Sequence, residues 1–119
     1  MPFKTILKNL MDSVPGSTGA ILADWEGEAV EQACLYDVFD LKVTGAHKGI
    51  LLNLMRDAHQ KMEAGELRHA TITTEKQHYM LGPIGADYFL VLTLDKSAII
   101  GLAIYHFQTA IDRMHKEIY

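Results

Sequence analysis

The spacing of apolar positions switches between the helical and the strand period along this chain, and each switch marks a new element. Phe3, Ile6, Leu7, Leu10 and Met11 fall on one stripe with Lys4, Lys8 and Asp12 off it, which predicts a first helix over residues 2–13. Proline suits its first turn, and Val14-Pro15-Gly16 stops it. Residues 18–23 (TGAILA) and 28–36 (EAVEQACLY) read as a hairpin around Asp24-Trp25-Glu26-Gly27, with glycine where a positive φ is easiest. A long second helix is expected from Phe39 or Val43 to Met62, ended by Ala64-Gly65. Three strands follow, over residues 67–75, 78–84 and 88–94, with turns at Lys76-Gln77 and Gly85-Ala86-Asp87. Asp95 or Ser97 is expected to cap a last helix, whose stripe is Ile100, Ile104, Phe107, Ile111, Met114 and Ile118. Gly101 lies inside that helix, and close approach of helix to strand is its expected use.

Strand composition orders the sheet. The fifth strand carries the run Phe89-Leu90-Val91-Leu92, so both its faces are covered and it is central. The third strand is polar, with Thr71, Thr73 and Thr74, and suits an edge that can pair with another chain. The fourth strand carries Gly82 and Pro83, so it is irregular or ends near them. A central strand covered on both sides requires helices on both sides. The expected fold is therefore α/β (α+β), a three-layer α/β/α sandwich. It has a five-stranded antiparallel sheet in the order αββαβββα and is one domain spanning residues 1–119. The second helix takes one face and the two terminal helices the other.

The second helix is the least ordinary element. At about 100° per residue, Val43, His47, Ile50, Leu51, Leu54 and Ala58 share one arc, the face expected to cover the sheet. Leu52, Met55 and Met62 extend the apolar surface to a second flank that also holds His59. Two explanations stand: scattered surface apolar residues, which are normal, or a second helix packed there, supplied by another copy of the chain.

Composition narrows the chemistry. At 119 residues and 49% apolar the chain can bury one core without staples. A net charge of −4 with no run of Lys or Arg argues against a nucleic-acid partner. The single cysteine, Cys34, cannot form an internal disulfide and reads as a small apolar strand residue. Lys4, Lys8 and Asn9 interrupt the N-terminal apolar residues, so no signal peptide is expected, nor membrane insertion, and the expected location is cytoplasmic. The six histidines show no metalloprotease spacing, and His69 and His78 are expected out of register. Ser13, Ser17 and Ser97 suit caps and turns, and Gly45-Ala46-His47-Lys48-Gly49 lacks the phosphate-loop pattern. No catalytic residues, metal or cofactor are expected. The residues read as an interaction module.

Gly19-Ala20-Ile21-Leu22-Ala23-Asp24 with Glu26-Gly27, Gly82-Pro83-Ile84-Gly85 with Asp87-Tyr88-Phe89-Leu90-Val91-Leu92, and Ile100-Gly101-Leu102-Ala103 carry a family resemblance. In order and spacing they resemble the Roadblock/dynein light chain domain family, in its small prokaryotic form. The chain is similar to the gliding-motility GTPase regulators of that family. The resemblance implies a non-catalytic dimer in which second helices lie side by side and third strands pair. It also implies a Ras-like small GTPase as partner, regulated by activation or by scaffolding. Residue by residue, it implies a dimer interface at Leu52, Met55, His59, His69, Ala70, Thr71, Ile72 and Thr73. Lys48, Arg56 and His59 are the implied polar contacts to the partner. The second strand carries more charge than the family pattern, and the entry to the second helix has two glycines. A small-ligand sensor, which needs a cavity lined by convergent polar groups, and a structural subunit of a larger complex are the alternatives.

Overall fold

Five antiparallel strands form one sheet in the spatial order β2-β1-β5-β4-β3. The computed structural model describes residues 2–119. Its elements are α1 (Pro2–Ser13), β1 (Ser17–Asp24), β2 (Ala29–Cys34), α2 (Val38–Lys61), β3 (Ala70–Thr73), β4 (Gln77–Ile84), β5 (Tyr88–Asp95) and α3 (Ile100–Ile118). The order αββαβββα and the three layers are those expected. β5 is central and buried from Phe89 to Leu94, and the polar β3 is an edge.

Alternation along the strands splits the core in two. Ala20 and Leu22 of β1, Met80 and Ile84 of β4, and Leu90, Leu92 and Leu94 of β5 face α1 and α3. They meet Ile6, Leu7 and Leu10 of α1 and Ala103, Phe107, Ala110, Ile111 and Met114 of α3. Ile21, Ala23, Leu81, Phe89 and Val91 face the other way, where α2 contributes only Leu41 and Leu52 to the fully buried set.

α2 lies on the sheet with a different face from the one its apolar arc suggests. Leu41, Gly45, Gly49 and Leu52 are its buried positions. Val43, His47, Ile50, Leu54 and Ala58 are exposed, and Leu51 is half-buried. The glycines decide this: a Cβ at Gly45 would stand 3.1 Å from Ile21 Cγ2, and one at Gly49 only 2.5 Å from Phe89 Cζ. Lacking side chains there, the helix backbone settles directly on Ile21 and Phe89.

Several boundaries also move. α2 begins at Val38, where the Asp37 carboxylate accepts the Phe39 N–H at 2.9 Å. β3 is shorter than expected; Thr73 pairs with His78, leaving Glu75-Lys76 at the hairpin tip, with Thr74 N–H donating to the Gln77 carbonyl. Neither Asp95 nor Ser97 caps α3: Ile99 stands at the cap position with no side-chain bond, and Ser97 Oγ donates to Asp95. A Cβ on Gly101 would meet nothing within 4 Å, so close packing is not its use. Ser17 does close a helix end, its Oγ lying 2.8 Å from the Met11 carbonyl and 2.7 Å from that of Val14.

Candidate interaction surface

α2 presents three distinct sides beyond its buried underside. Lys48 lies over the Tyr79 ring of β4 at 4.3 Å. That contact fixes one flank, with Leu51, Met55, His59 and Met62, toward β4 and β3. Ala46 stands on the opposite flank, next to Gly27 of the β1–β2 turn. The outer side, turned away from the sheet, carries Phe39, Val43, Ile50 and Leu54, exposed by 69, 52, 63 and 62%. Broken only by His47, this apolar side has no partner among the described residues, whereas single exposed apolar residues are ordinary.

The sheet below the Lys48 flank is incompletely roofed. Ile72 of β3 and Tyr79 of β4 face the α2 side and are only partly buried, because α2 packs on β1, β2, β4 and β5 and makes at most marginal contact with β3. The two sheet edges also differ. On β2, Lys4 Nζ from α1 donates to the Gln32 carbonyl at 2.6 Å, and a bulge interrupts the register at Leu22/Ala23. Both devices blunt an edge. Along β3, among the described residues, no side chain from another element hydrogen-bonds to the backbone of Ala70–Thr73.

The residues singled out in the sequence divide accordingly. Leu52 is fully buried inside its own protomer, under α2 with Ile21, Leu81 and Phe89, which corrects its assignment to an intermolecular contact. Met55 and His59 are half-buried on the flank facing β3, with His59 Nδ1 2.9 Å from the Met55 carbonyl. His69, Ala70 and Ile72 are half-buried; Thr71 and Thr73 are exposed, and Thr73 Oγ1 lies 2.8 Å from His78 Nδ1. Of the polar trio, Lys48 and Arg56 are each docked on a ring of their own chain, Arg56 at 4.2 Å over Trp25. Neither belongs to the outer stripe. The stripe itself was assigned to the sheet by apolar character alone. Gly45 and Gly49, at helical spacing with Leu41 and Leu52, are the signal that could have placed it outside.

A groove of about 520 Å³ opens at the far end of α2. It lies where β4 runs on past the start of β3 and is bounded by the β4–β5 turn and the last turns of α3. Leu67, Pro83 and Ile111 form its apolar part, and charged and amide side chains from three elements surround them. Among the described residues no group of three or more His, Cys, Asp or Glu could hold a metal ion. Among the described residues no helix is long and apolar enough to cross a membrane.

Comparison with known proteins places this geometry. The family model of the Roadblock/LC7 domain matches residues 4–94. The fold superposes on a Roadblock/LC7 domain from Streptomyces avermitilis with a TM-score of 0.87 at 17% identity, covering 97% of this chain and 96% of that one. It superposes on Myxococcus xanthus MglB with a TM-score of 0.88 at 15% identity, covering 99% and 95%. It superposes on the gliding protein MglB of Thermus thermophilus with a TM-score of 0.84 at 14% identity, covering 96% and 86%. At these identities the likeness is one of fold. A search of the curated proteins returns no significant match.

Proposed function

The chain belongs to the Roadblock/LC7 domain family, and from that premise we propose that it is a non-catalytic, homodimeric module that regulates a Ras-like small GTPase. Gliding motility, named for the Thermus thermophilus relative, is the proposed setting. The observation that carries the reading is the coincidence of three features on one side of the molecule. They are an open β3 edge, a half-roofed sheet at Ile72 and Tyr79, and an α2 helix with apolar side chains where its own chain offers no cover.

A two-fold axis normal to the sheet lets β3 pair only with itself, and only antiparallel. His69 to Thr73 would then form the seam of a ten-stranded sheet. The same axis brings the Lys48 flanks of two α2 helices together above the seam. Leu51, Met55, His59 and Met62 of each copy cover Ile72 and Tyr79 between them. The outer stripe of Phe39, Val43, Ile50 and Leu54 stays free in that dimer, doubled by symmetry, as the platform for the GTPase. Lys48 and His59 lie on the flank that enters the seam, apart from this platform. A module of this kind acts by positioning the residues of the GTPase itself, since phosphoryl transfer is governed by positioning and charge stabilisation.

Two substitutions separate the two surfaces. Light scattering at micromolar protein is expected to give a dimer mass for the wild type and for Ile50→Glu, and a monomer mass for Met55→Glu. Turnover of GTP by the Ras-like GTPase of the same genome is expected to change on adding the wild type and not on adding Ile50→Glu. A monomeric wild type removes the dimer, and unchanged turnover without co-elution removes the GTPase.

A further inference from the structure

Outside the surface assigned above, the groove at the end of α2 gathers polar groups that the domain's own packing leaves uncommitted. Arg56 and Arg68 both line it, from α2 and from the segment entering β3. Neither guanidinium has a carboxylate within ion-pair distance among the described residues, although Glu66 and Asp112 line the same groove. Arg56 is also held in place: its guanidinium lies 4.2 Å over the indole of Trp25, which in turn packs on Phe89 at 4.9 Å. A stacked guanidinium keeps its planar fork of donors free at its edge and loses little freedom on binding. On the α3 side, Gln108 gives its amide N–H to Asp112 Oδ1 at 3.2 Å. Its carbonyl oxygen is buried and has no hydrogen-bond partner. His115, stacked on Tyr119 at 4.8 Å, completes that wall.

We propose that this groove binds a small organic anion, a carboxylate or phosphate that also carries a hydroxyl or amino group. The anionic end matches the two guanidiniums, which recognise planar or tetrahedral oxyanions through paired N–H donors. The donor matches the Gln108 carbonyl, a buried acceptor that costs free energy when left without a partner. The apolar floor of Leu67, Pro83 and Ile111 suits the carbon skeleton between them. The volume, about 520 Å³, lies in the range of small-molecule sites. The residues come from α2, the entry to β3, the β4–β5 turn and α3, so a bound ligand would tie both helical layers to one sheet end. This site stands independently of the GTPase reading.

Trp25 is the only tryptophan, so its fluorescence reports on Arg56. Titrations at constant ionic strength compare succinate, L-malate and L-aspartate, which share a skeleton and differ in the donor, and orthophosphate with glycerol 3-phosphate. Saturable binding is expected, with malate or aspartate tighter than succinate by about ten-fold, or glycerol 3-phosphate tighter than orthophosphate by as much. The preferred pair identifies carboxylate or phosphate as the anion. Arg68→Ala, at an exposed position that the fold tolerates, and Arg56→Gln are each expected to weaken binding by about ten-fold or more. Gln108→Leu is expected to abolish the preference for the donor-bearing ligand. Amide and side-chain shifts in a nitrogen-15 spectrum, localised to Arg56, Arg68 and Gln108, provide a second readout where fluorescence is silent. The absence of saturable binding of all five compounds up to about 10 mM, or binding unaffected by Arg68→Ala, would overturn the site. Equal affinity for succinate and malate together with equal affinity for the two phosphates would overturn the role of Gln108.

Discussion

Two helices close one face of the sheet, while one helix set down on glycines covers the other, and the side chains beneath them differ in kind. The α1/α3 face is apolar from Leu7 and Leu10 to Phe107 and Met114, its one buried hydroxyl among the described residues, Ser17, being engaged at the end of α1. The α2 face has fewer fully buried residues, two of its partly buried ones lie beyond the helix, and it holds the buried hydroxyl of Thr93. A face closed within the protomer is committed to folding. A face closed by one narrow helix leaves apolar surface over, and in this molecule that surplus lies beside an unpaired strand. On the proposed function, stability and recognition are separated across the thickness of α2, between its underside and its outer stripe.

Leu52 and Leu54 test that separation most sharply, being two residues apart on one helix. Leu52 is fully buried and Leu54 is 62% exposed. Leu52→Ala is expected to cost about 2–5 kcal/mol, the range for a buried leucine leaving a cavity. Leu54→Ala is expected to change stability by no more than about 0.5 kcal/mol. Urea unfolding at one fixed protomer concentration checks both, since association would otherwise add to the apparent stability. Equal costs at the two positions would mean that the assignment of the α2 faces is wrong.

The glycines give the next contrast. Gly49→Ala puts a methyl group 2.5 Å from the ring of Phe89, a residue that is itself fully buried and cannot swing clear. Overpacking of this kind costs about 1–3 kcal/mol. Gly101→Ala, in the exposed start of α3, meets nothing and is expected to stabilise by up to about 1 kcal/mol through helix propensity. Melting temperatures of the two variants should therefore move in opposite directions from the wild type.

Which parts of this were legible in the sequence follows from the same contrast. The α1/α3 layer and the central place of β5 could be read from apolar patterning, because Ile6, Leu10, Phe107, Ile111 and Met114, like the run Phe89 to Leu92, are apolar for the ordinary reason that they are buried. The polar run Thr71 to Thr74 likewise marked an edge that the strand order bears out. The rule misled on α2, where Val43, Ile50 and Leu54 are apolar without being buried and Gly45 and Gly49 are buried without being apolar. Periodicity measures side-chain hydrophobicity, and at a helix seated by its backbone the contact is made where side chains are absent. The groove was illegible for another reason. Arg56 lies on α2, Arg68 on the segment entering β3, and Gln108 and His115 on α3, and only the fold places them on one hollow.

The smallest expected effect lies at the opposite end of the α2 face from the groove. Tyr36 packs beside Gly19 with its hydroxyl 3.3 Å from Thr93 Oγ1, which is also 2.8 Å from Thr18 Oγ1. Burial pushes the Tyr36 phenol above its ordinary value, with the bond to Thr93 opposing the shift and nearby Cys34, Tyr79 and Asp40 adding to it. The protonated form is therefore favoured in the folded state. A phenol whose folded pKa lies above its unfolded value of about 10 contributes stability in full below that pH. The contribution is lost as pH rises through the folded pKa. Wild-type stability is accordingly expected to fall more steeply above pH 10 than that of Tyr36→Phe, which cannot ionise there. Tyr119, also shifted upward, is common to both proteins and cancels in the comparison. At neutral pH the phenylalanine variant is expected to be less stable by about 1 kcal/mol for the lost hydrogen bond, and the two curves should converge in alkali. Parallel curves across that range would mean that this end of the α2 face is as open to water in the folded chain as in the unfolded one.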